Sequence, residues 1–238
     1  MMGLRRNYMP VYKISSLLDD SRQFRHHLLT VSGICLLVAA VVAYFFDQNV
    51  SMYFSHEGGT AEMLRIIGRE VTNIGLSQHY FILSVGTWFV CAYITPRIHS
   101  LKKYAKGLDY LRRWGLNFLV ALLVSGAITH TIKFLVGRQR PHKSPVCDPF
   151  TFDPFTHHWH WHSFSSGHSQ VMAVVAFMFT IAMPRFAWFW ILIAITACGT
   201  RVAIQDHFTS DVIFGACVGY CGTLIALKWM RKSKNALV

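Results

Sequence analysis

Hydrophobic residues in this chain gather in long, nearly unbroken runs instead of the one-sided spacing of a helix that is half in water. Six runs stand out: 28–46 (LLTVSGICLLVAAVVAYFF), 78–95, 114–132, 168–184, 186–200 and 211–229. A helix needs about 20 apolar residues to cross a bilayer. The fourth and fifth runs are short, and only Met183-Pro184-Arg185 parts them. Pro184 would break one longer helix, so the pair reads as a tight helical hairpin. The pattern predicts an all-α polytopic membrane protein, a bundle of six transmembrane helices in a single domain over 1–238. Two stretches with mixed apolar and charged spacing lie within 1–27 (VYKISSLLDDSRQF) and at 57–75 (EGGTAEMLRIIGREVTNIG). They read as interfacial helices that brace the bundle. The first run is too long for a signal-peptide core, and the DQNVSMYF after it offers no small-residue cleavage site, so it reads as a retained anchor.

Composition agrees with lipid as the main solvent. Charged residues make up 14% of the chain and hydrophobic ones 53%, where a soluble domain carries about 25% charged. Of six cysteines, Cys35, Cys91, Cys198, Cys217 and Cys221 lie in apolar runs, which leaves no disulfide framework. The formal net charge of +12 sits on no accessible polar domain of the kind nucleic-acid binders use, so that partner class is excluded. Its placement sets direction instead. Sixteen of the 23 Lys and Arg residues fall in the N-terminal segment, the second and fourth loops and the C-terminal tail. The positive-inside rule then puts both termini in the cytoplasm, with the first, third and fifth loops outside.

Strict alternation brings four helix ends to that outer face: the end of the third run, the start of the fourth, the end of the fifth and the start of the sixth. Those ends carry Lys133, then Arg140-Pro141 within GRQRP, then Ser166-Gly167-His168, then Arg201, His207 and Asp211. Each has an ordinary reading alone: a snorkelling cation at a helix end, or a satisfied polar histidine. Together they place ionisable groups at membrane depth, which marks a functional site. Three cations with few acidic partners call for an anion, and phosphate suits two guanidinium forks and a lysine point charge. Ser166-Gly167-His168, opening a helix, adds free backbone N–H groups and the positive end of the helix dipole.

His207 and Asp211 are four residues apart, so on one helix face the carboxylate accepts the ring N–H and fixes the tautomer. The other ring nitrogen is then free to attack phosphorus. His168 across the phosphate protonates the departing alkoxide. The scheme runs through a phosphohistidine, and the cations supply the charge neutralisation, so neither metal nor cofactor is expected.

Lys133-x6-Arg140-Pro141, Ser166-Gly167-His168 and Arg201-x5-His207-x3-Asp211 resemble, in order and spacing, the three signature motifs of the type 2 phosphatidic acid phosphatase (PAP2) superfamily. The resemblance spans 133–211 and implies a PAP2-like transmembrane domain. It implies that Lys133, Arg140 and Arg201 hold phosphate, with hydrogen bonds from Ser166 and Gly167. It further implies that His168 acts on the leaving group, His207 is the nucleophile and Asp211 supports His207. Two positions depart from the family pattern: Ser165 stands where Pro is usual, and Thr200 where Ser is usual. Serine remains a favourable cap and threonine keeps the hydroxyl.

HHWHWH at 157–162 precedes the anion seat. Zinc binding is one reading, but the spacing fits no structural-zinc pattern. The tryptophans favour an interfacial loop at the pocket mouth. The expectation is an integral-membrane lipid phosphatase in a bacterial inner membrane, with its site facing the periplasm or outside. Its substrate would be lipid A, undecaprenyl diphosphate, phosphatidylglycerophosphate or phosphatidate. A lipid-to-lipid phosphotransferase would use the same pocket. A His-rich metal transporter would need ionisable residues along the spans, and these are nearly absent beyond His130.

Overall fold

The computed structural model describes residues 9–238; residues 1–8, including Arg5 and Arg6 of the charge reading, lie outside the described residues. About 80% of the chain is helical. Among the described residues the helices are α1 (Met9–Asp19), α2 (Ser21–Val42), α3 (Gln48–Ser55), α4 (Gly59–Val71), α5 (Ser77–Phe89), α6 (Ala105–Val136), α7 (Gly167–Ala182), α8 (Ala187–Ala203) and α9 (Thr209–Met230). Among them there is no strand, only one isolated antiparallel bridge between Arg138 and Phe152.

Four helical stretches are long and apolar enough to cross a membrane: Ser21–Ser55, His99–Val136, Pro184–Ala203 and Thr209–Met230; α7 is a shorter apolar helix. Helix α5 occupies the second apolar run, and Pro184 divides α7 from α8. Leu29, Ile82, Trp188 and Ile195 are all exposed on the bundle, a cost in water that lipid removes.

The first apolar run, 28–46, is followed in sequence by the first loop. In the structure a π-helical turn, Ala43–Asp47, joins α2 to α3 and the helix continues to Ser55. Asp47 is fully buried there and meets a buried arginine, so it need not end the helix to reach water. The stretch at 57–75 forms α4 and a 3-10 turn, Thr72–Gly75.

Helix α9 is the axis of the bundle, packed against α6, α7 and α2. Lipid tails give no hydrophobic drive for helices to associate, so close backbone approach at small residues does the work. Gly215 lies on the backbone of Ser166, Gly219 on the carbonyl of Gln170 and Gly222 on Ser125; a β-carbon at any of them would collide with its neighbour. Gly215 thereby presses the start of α9 against the start of α7, where the polar motifs converge.

Candidate active site

Helix α6 ends at Gly137, whose left-handed backbone (φ 57°) lets its N–H reach the Lys133 carbonyl at 3.0 Å. A side chain there would strike the backbone of Asp153, which fits the glycine preference of this cap. The chain then folds 138–163 over the bundle end. Gln139 N–H donates to Thr151 O at 3.0 Å, Arg140 N–H to His160 O at 2.9 Å, and Ser163 N–H to Arg138 O at 3.0 Å. These bonds fix the height at which the cations project.

Lys133 is buried in the last turn of α6, and its Nζ donates to His162 O at 2.5 Å. Arg140 donates Nε–H to Trp159 O at 3.2 Å and lies over the Trp159 ring, 5.0 Å from its centroid. Arg201, in the last turn of α8, donates Nη1–H to Thr72 Oγ1 at 2.8 Å and Nη2–H to Asp206. Its Nε is buried without a partner among the described residues. Lys133, Arg140, Arg201, Asp206 and Asp211 lie within electrostatic reach of one another.

Ser166 caps α7: its extended backbone turns the chain, and its Oγ accepts from Ser169 N–H at 3.4 Å. The Ser166 N–H donates to Asp211 O at 3.0 Å, which ties α7 to α9. Gly167 begins the helix beside Lys133 Cε, and His168 follows. The His168 Nε2 is buried without a partner among the described residues. Its ring packs on Gly75, where a β-carbon would stand 2.7 Å from His168 Cδ2. The first N–H groups of a helix have no partner within it, so the α7 start presents donors beside Lys133. Lys133, Arg140, Ser166, Gly167, His168, Arg201, His207 and Asp211 thus share one end of the bundle.

The relation of His207 to Asp211 differs from the expectation. Helix α9 begins at Thr209, so His207 precedes it and the two residues do not share a helical face. Nδ1 of His207 lies 2.7 Å from the Ser163 carbonyl and 3.7 Å from Asp211 Oδ2. A carbonyl can only accept, so Nδ1 carries the proton and Nε2 keeps its lone pair. Asp211 acts one bond further out. Its Oδ2 accepts from Ser163 Oγ at 2.5 Å and from Phe208 N–H at 2.8 Å, which holds both flanks of His207. Burial, joined by the charges of Lys133 and Arg140 and against the opposing pull of Asp211, lowers the His207 pKa to about 3. The imidazole is neutral at physiological pH.

Behind this pair lies a buried cluster that the sequence reading did not single out. Arg138 donates to Asp211 Oδ1 at 2.5 Å, to Ser210 Oγ at 2.7 Å and to Asp47 Oδ2 at 2.9 Å, with its guanidinium 4.3 Å from the Phe208 ring centroid. The available signals were a second arginine inside GRQRP and a lone carboxylate ending an apolar run. Thr72 and Gly75 were also missed; they lie in a segment read only as a brace.

The His-Trp segment borders the site. His162 Nε2 pairs with Thr156 O at 2.9 Å, His157 packs on Phe134, and His160 lies against Trp159. Among the described residues no three His, Cys, Asp or Glu side chains group to hold a metal ion. On the bundle side of His168, a cavity of about 350 Å³ runs between α5, α6 and the start of α7. Gly167 and His168 form its polar end; Phe81, Leu122 and Leu123 line its apolar length.

Residues 114–235 match the PAP2 superfamily. The chain belongs to this family. The PAP2 match covers all three motifs and the helices that carry them. Two relatives named lipid A 1-phosphatase are each 29% identical to this PAP2 protein. The one from Rhizobium etli aligns over 166 residues, 69% of this chain and 71% of its own. The one from Rhizobium johnstonii aligns over 153 residues, 64% of this chain and 62% of its own. A crystal structure of a transmembrane PAP2-type phosphatidylglycerolphosphate phosphatase from Bacillus subtilis superposes with a TM-score of 0.53 at 21% identity, over 87% of this chain and 97% of its own. That likeness establishes a shared membrane PAP2 fold.

Proposed function

We propose that this PAP2 protein removes phosphate from a membrane lipid, with lipid A carrying a 1-phosphate as the favoured substrate. The central support is the convergence of Lys133, Arg140, Arg201, His168 and His207 at one bundle end, next to a cavity with an apolar wall. The names of the two Rhizobium relatives favour lipid A among lipid phosphates.

Lys133, Arg140 and Arg201 hold the phosphate oxygens, and the Gly167 and His168 N–H groups complete the seat. His207 Nε2 attacks phosphorus while the bond from phosphorus to the lipid oxygen breaks. His168 gives its proton to that oxygen. Water then attacks the phosphohistidine, passing a proton to His168; the phosphorus–nitrogen bond breaks, releasing phosphate and neutral His207. Ser163, Asp211 and Arg138 keep Nδ1 protonated and the ring in line. Because three fixed cations neutralise the phosphoryl charge, the chemistry runs without a metal. The chain spans the membrane six times with both termini in the cytoplasm, and the site opens to the periplasmic side of an inner membrane.

The test is phosphate release by detergent-solubilised protein on lipid A 1-phosphate, undecaprenyl diphosphate, phosphatidylglycerophosphate and phosphatidate, with labelled donor. Label is expected in free phosphate, not on an acceptor lipid, and on the protein after alkaline quench, which preserves the acid-labile phosphohistidine. Full activity in His207→Ala or His168→Ala would sink the mechanism.

A further inference from the structure

Asp206 occupies the space where the anion seat would otherwise carry unbalanced positive charge. One carboxylate oxygen pairs with Arg201 Nη2, and the other stands 3.4 Å from Arg140 Nη1 and 3.6 Å from His142 Nδ1. The link between α8 and α9 aims it there. Gln205 takes a left-handed backbone (φ 61°) and anchors its side chain on Ser51 O, while the Asp206 and His207 N–H groups both return to the Arg201 carbonyl. A non-glycine residue in that conformation is unusual and is held only when its surroundings require it. The Asp206 side chain stays a quarter exposed, so it can move without disturbing packed core.

Taking the phosphate-seat reading as its basis, the geometry points to Asp206 as a residue that sets phosphate affinity and product release: a resident carboxylate that competes with phosphate for Arg140 and Arg201. In the empty site it keeps two guanidinium groups aimed at one point despite their mutual repulsion. When a phosphate dianion arrives, the carboxylate must yield one guanidinium or remain beside a like charge. Either outcome weakens the hold on phosphate and favours release of the product. A substrate with a large lipid body has apolar contacts to compensate for that weakening, whereas free orthophosphate has none. Asp206 therefore lowers the affinity for every phosphate ligand, so that released orthophosphate leaves the seat while a lipid phosphate is still held by its apolar contacts.

A purely structural latch makes the opposite forecast, because loosening the arginines weakens phosphate binding. The experiment uses full-length protein in detergent and measures inhibition of lipid-phosphate hydrolysis by orthophosphate and by orthovanadate. The variants are Asp206→Asn, which keeps the shape, and Asp206→Glu, which keeps the charge. In Asp206→Asn both inhibition constants are expected to fall by about tenfold, the order of one like charge removed at close range. KM for the lipid should fall with them, and Asp206→Glu should stay near the parent. Inhibition constants that rise or hold steady in Asp206→Asn overturn the inference while leaving the phosphate seat intact. If orthophosphate does not compete with lipid in the unmodified protein, the seat and the inference fall together.

Discussion

Asp47 and Arg138 lie 91 residues apart in sequence and form a buried ion pair of 2.9 Å, in which the aspartate is wholly inaccessible. The same guanidinium holds Asp211, so the first long helix is tied through one arginine to the carboxylate that flanks His207. Removing Arg138 leaves two carboxylates uncompensated in a dry interior, at a cost of about 3–5 kcal/mol, whereas removing Asp47 leaves Arg138 paired with Asp211 but takes the acceptor from Ser210. Asp47→Ala and Arg138→Ala are each expected to lower the thermal midpoint in detergent. Arg138→Lys should rescue little, because one ammonium cannot reproduce a fork shared by two carboxylates and Ser210. A parent-like midpoint in Arg138→Ala would refute this account of the cluster.

Gly75 makes room for the ring of His168, and any β-carbon there enters its space. Gly75→Ala is expected to shift the imidazole without unfolding the bundle. An off-line shift of this size costs on the order of 10²-fold in rate. Steady-state kinetics should show the loss in kcat, with KM and the thermal midpoint little changed.

His207 has a folded pKa of about 3 against 6.5 in an ordinary environment. A histidine depressed in this way binds its proton more readily when the chain is unfolded. Its contribution to stability is present above pH 6.5 and is lost as pH falls toward 3. Thermal midpoints between pH 6.5 and 4 should therefore fall more steeply in the parent than in His207→Gln. The neutral form should also leave kcat/KM without an acid limb from this group above about pH 4. Equal slopes in parent and variant would contradict the burial argument.

The cavity wall offers a test of lipid binding separate from the chemistry. Gly126 lines the cavity, and a β-carbon there would meet nothing within 4 Å. Gly126→Leu should fold normally and fill the space. KM for a long-chain lipid phosphate is expected to rise about 5- to 150-fold, by the loss of roughly 1–3 kcal/mol of apolar contact. Turnover of a short, water-soluble phosphate ester should be unaffected; equal losses on both substrates would rule out a tail site.

In the proposed mechanism His168 acts on the leaving group, so its importance depends on how badly that group needs a proton. His168→Ala should lose about 10²–10⁴-fold on a lipid alkoxide and much less on a p-nitrophenyl ester, whose anion leaves unaided. His207→Ala should lose activity on both and carry no label after alkaline quench. The two histidines are separated by that contrast.

Hydrophobic run length, by itself, determined the all-helical character and the apolar helices, because about 20 residues without charge have only one stable arrangement in lipid. Motif spacing, read with helix direction, placed Lys133, Arg140, His168, Arg201 and His207 at one end, since a helix end can lie only on one side or the other. Tertiary structure alone decided which atom pairs with which. The Asp47–Arg138–Asp211 cluster joins three distant segments, and no local period marks such partners. The His207 hydrogen bond to Ser163 follows from α9 starting two residues after His207, a boundary fixed by packing and capping. Thr72 and Gly75 reach the site from a segment whose composition resembles any interfacial helix. Periodicity records the solvent that each face meets, whereas a hydrogen bond depends on positions to within a few tenths of an ångström, and only the packed bundle supplies those.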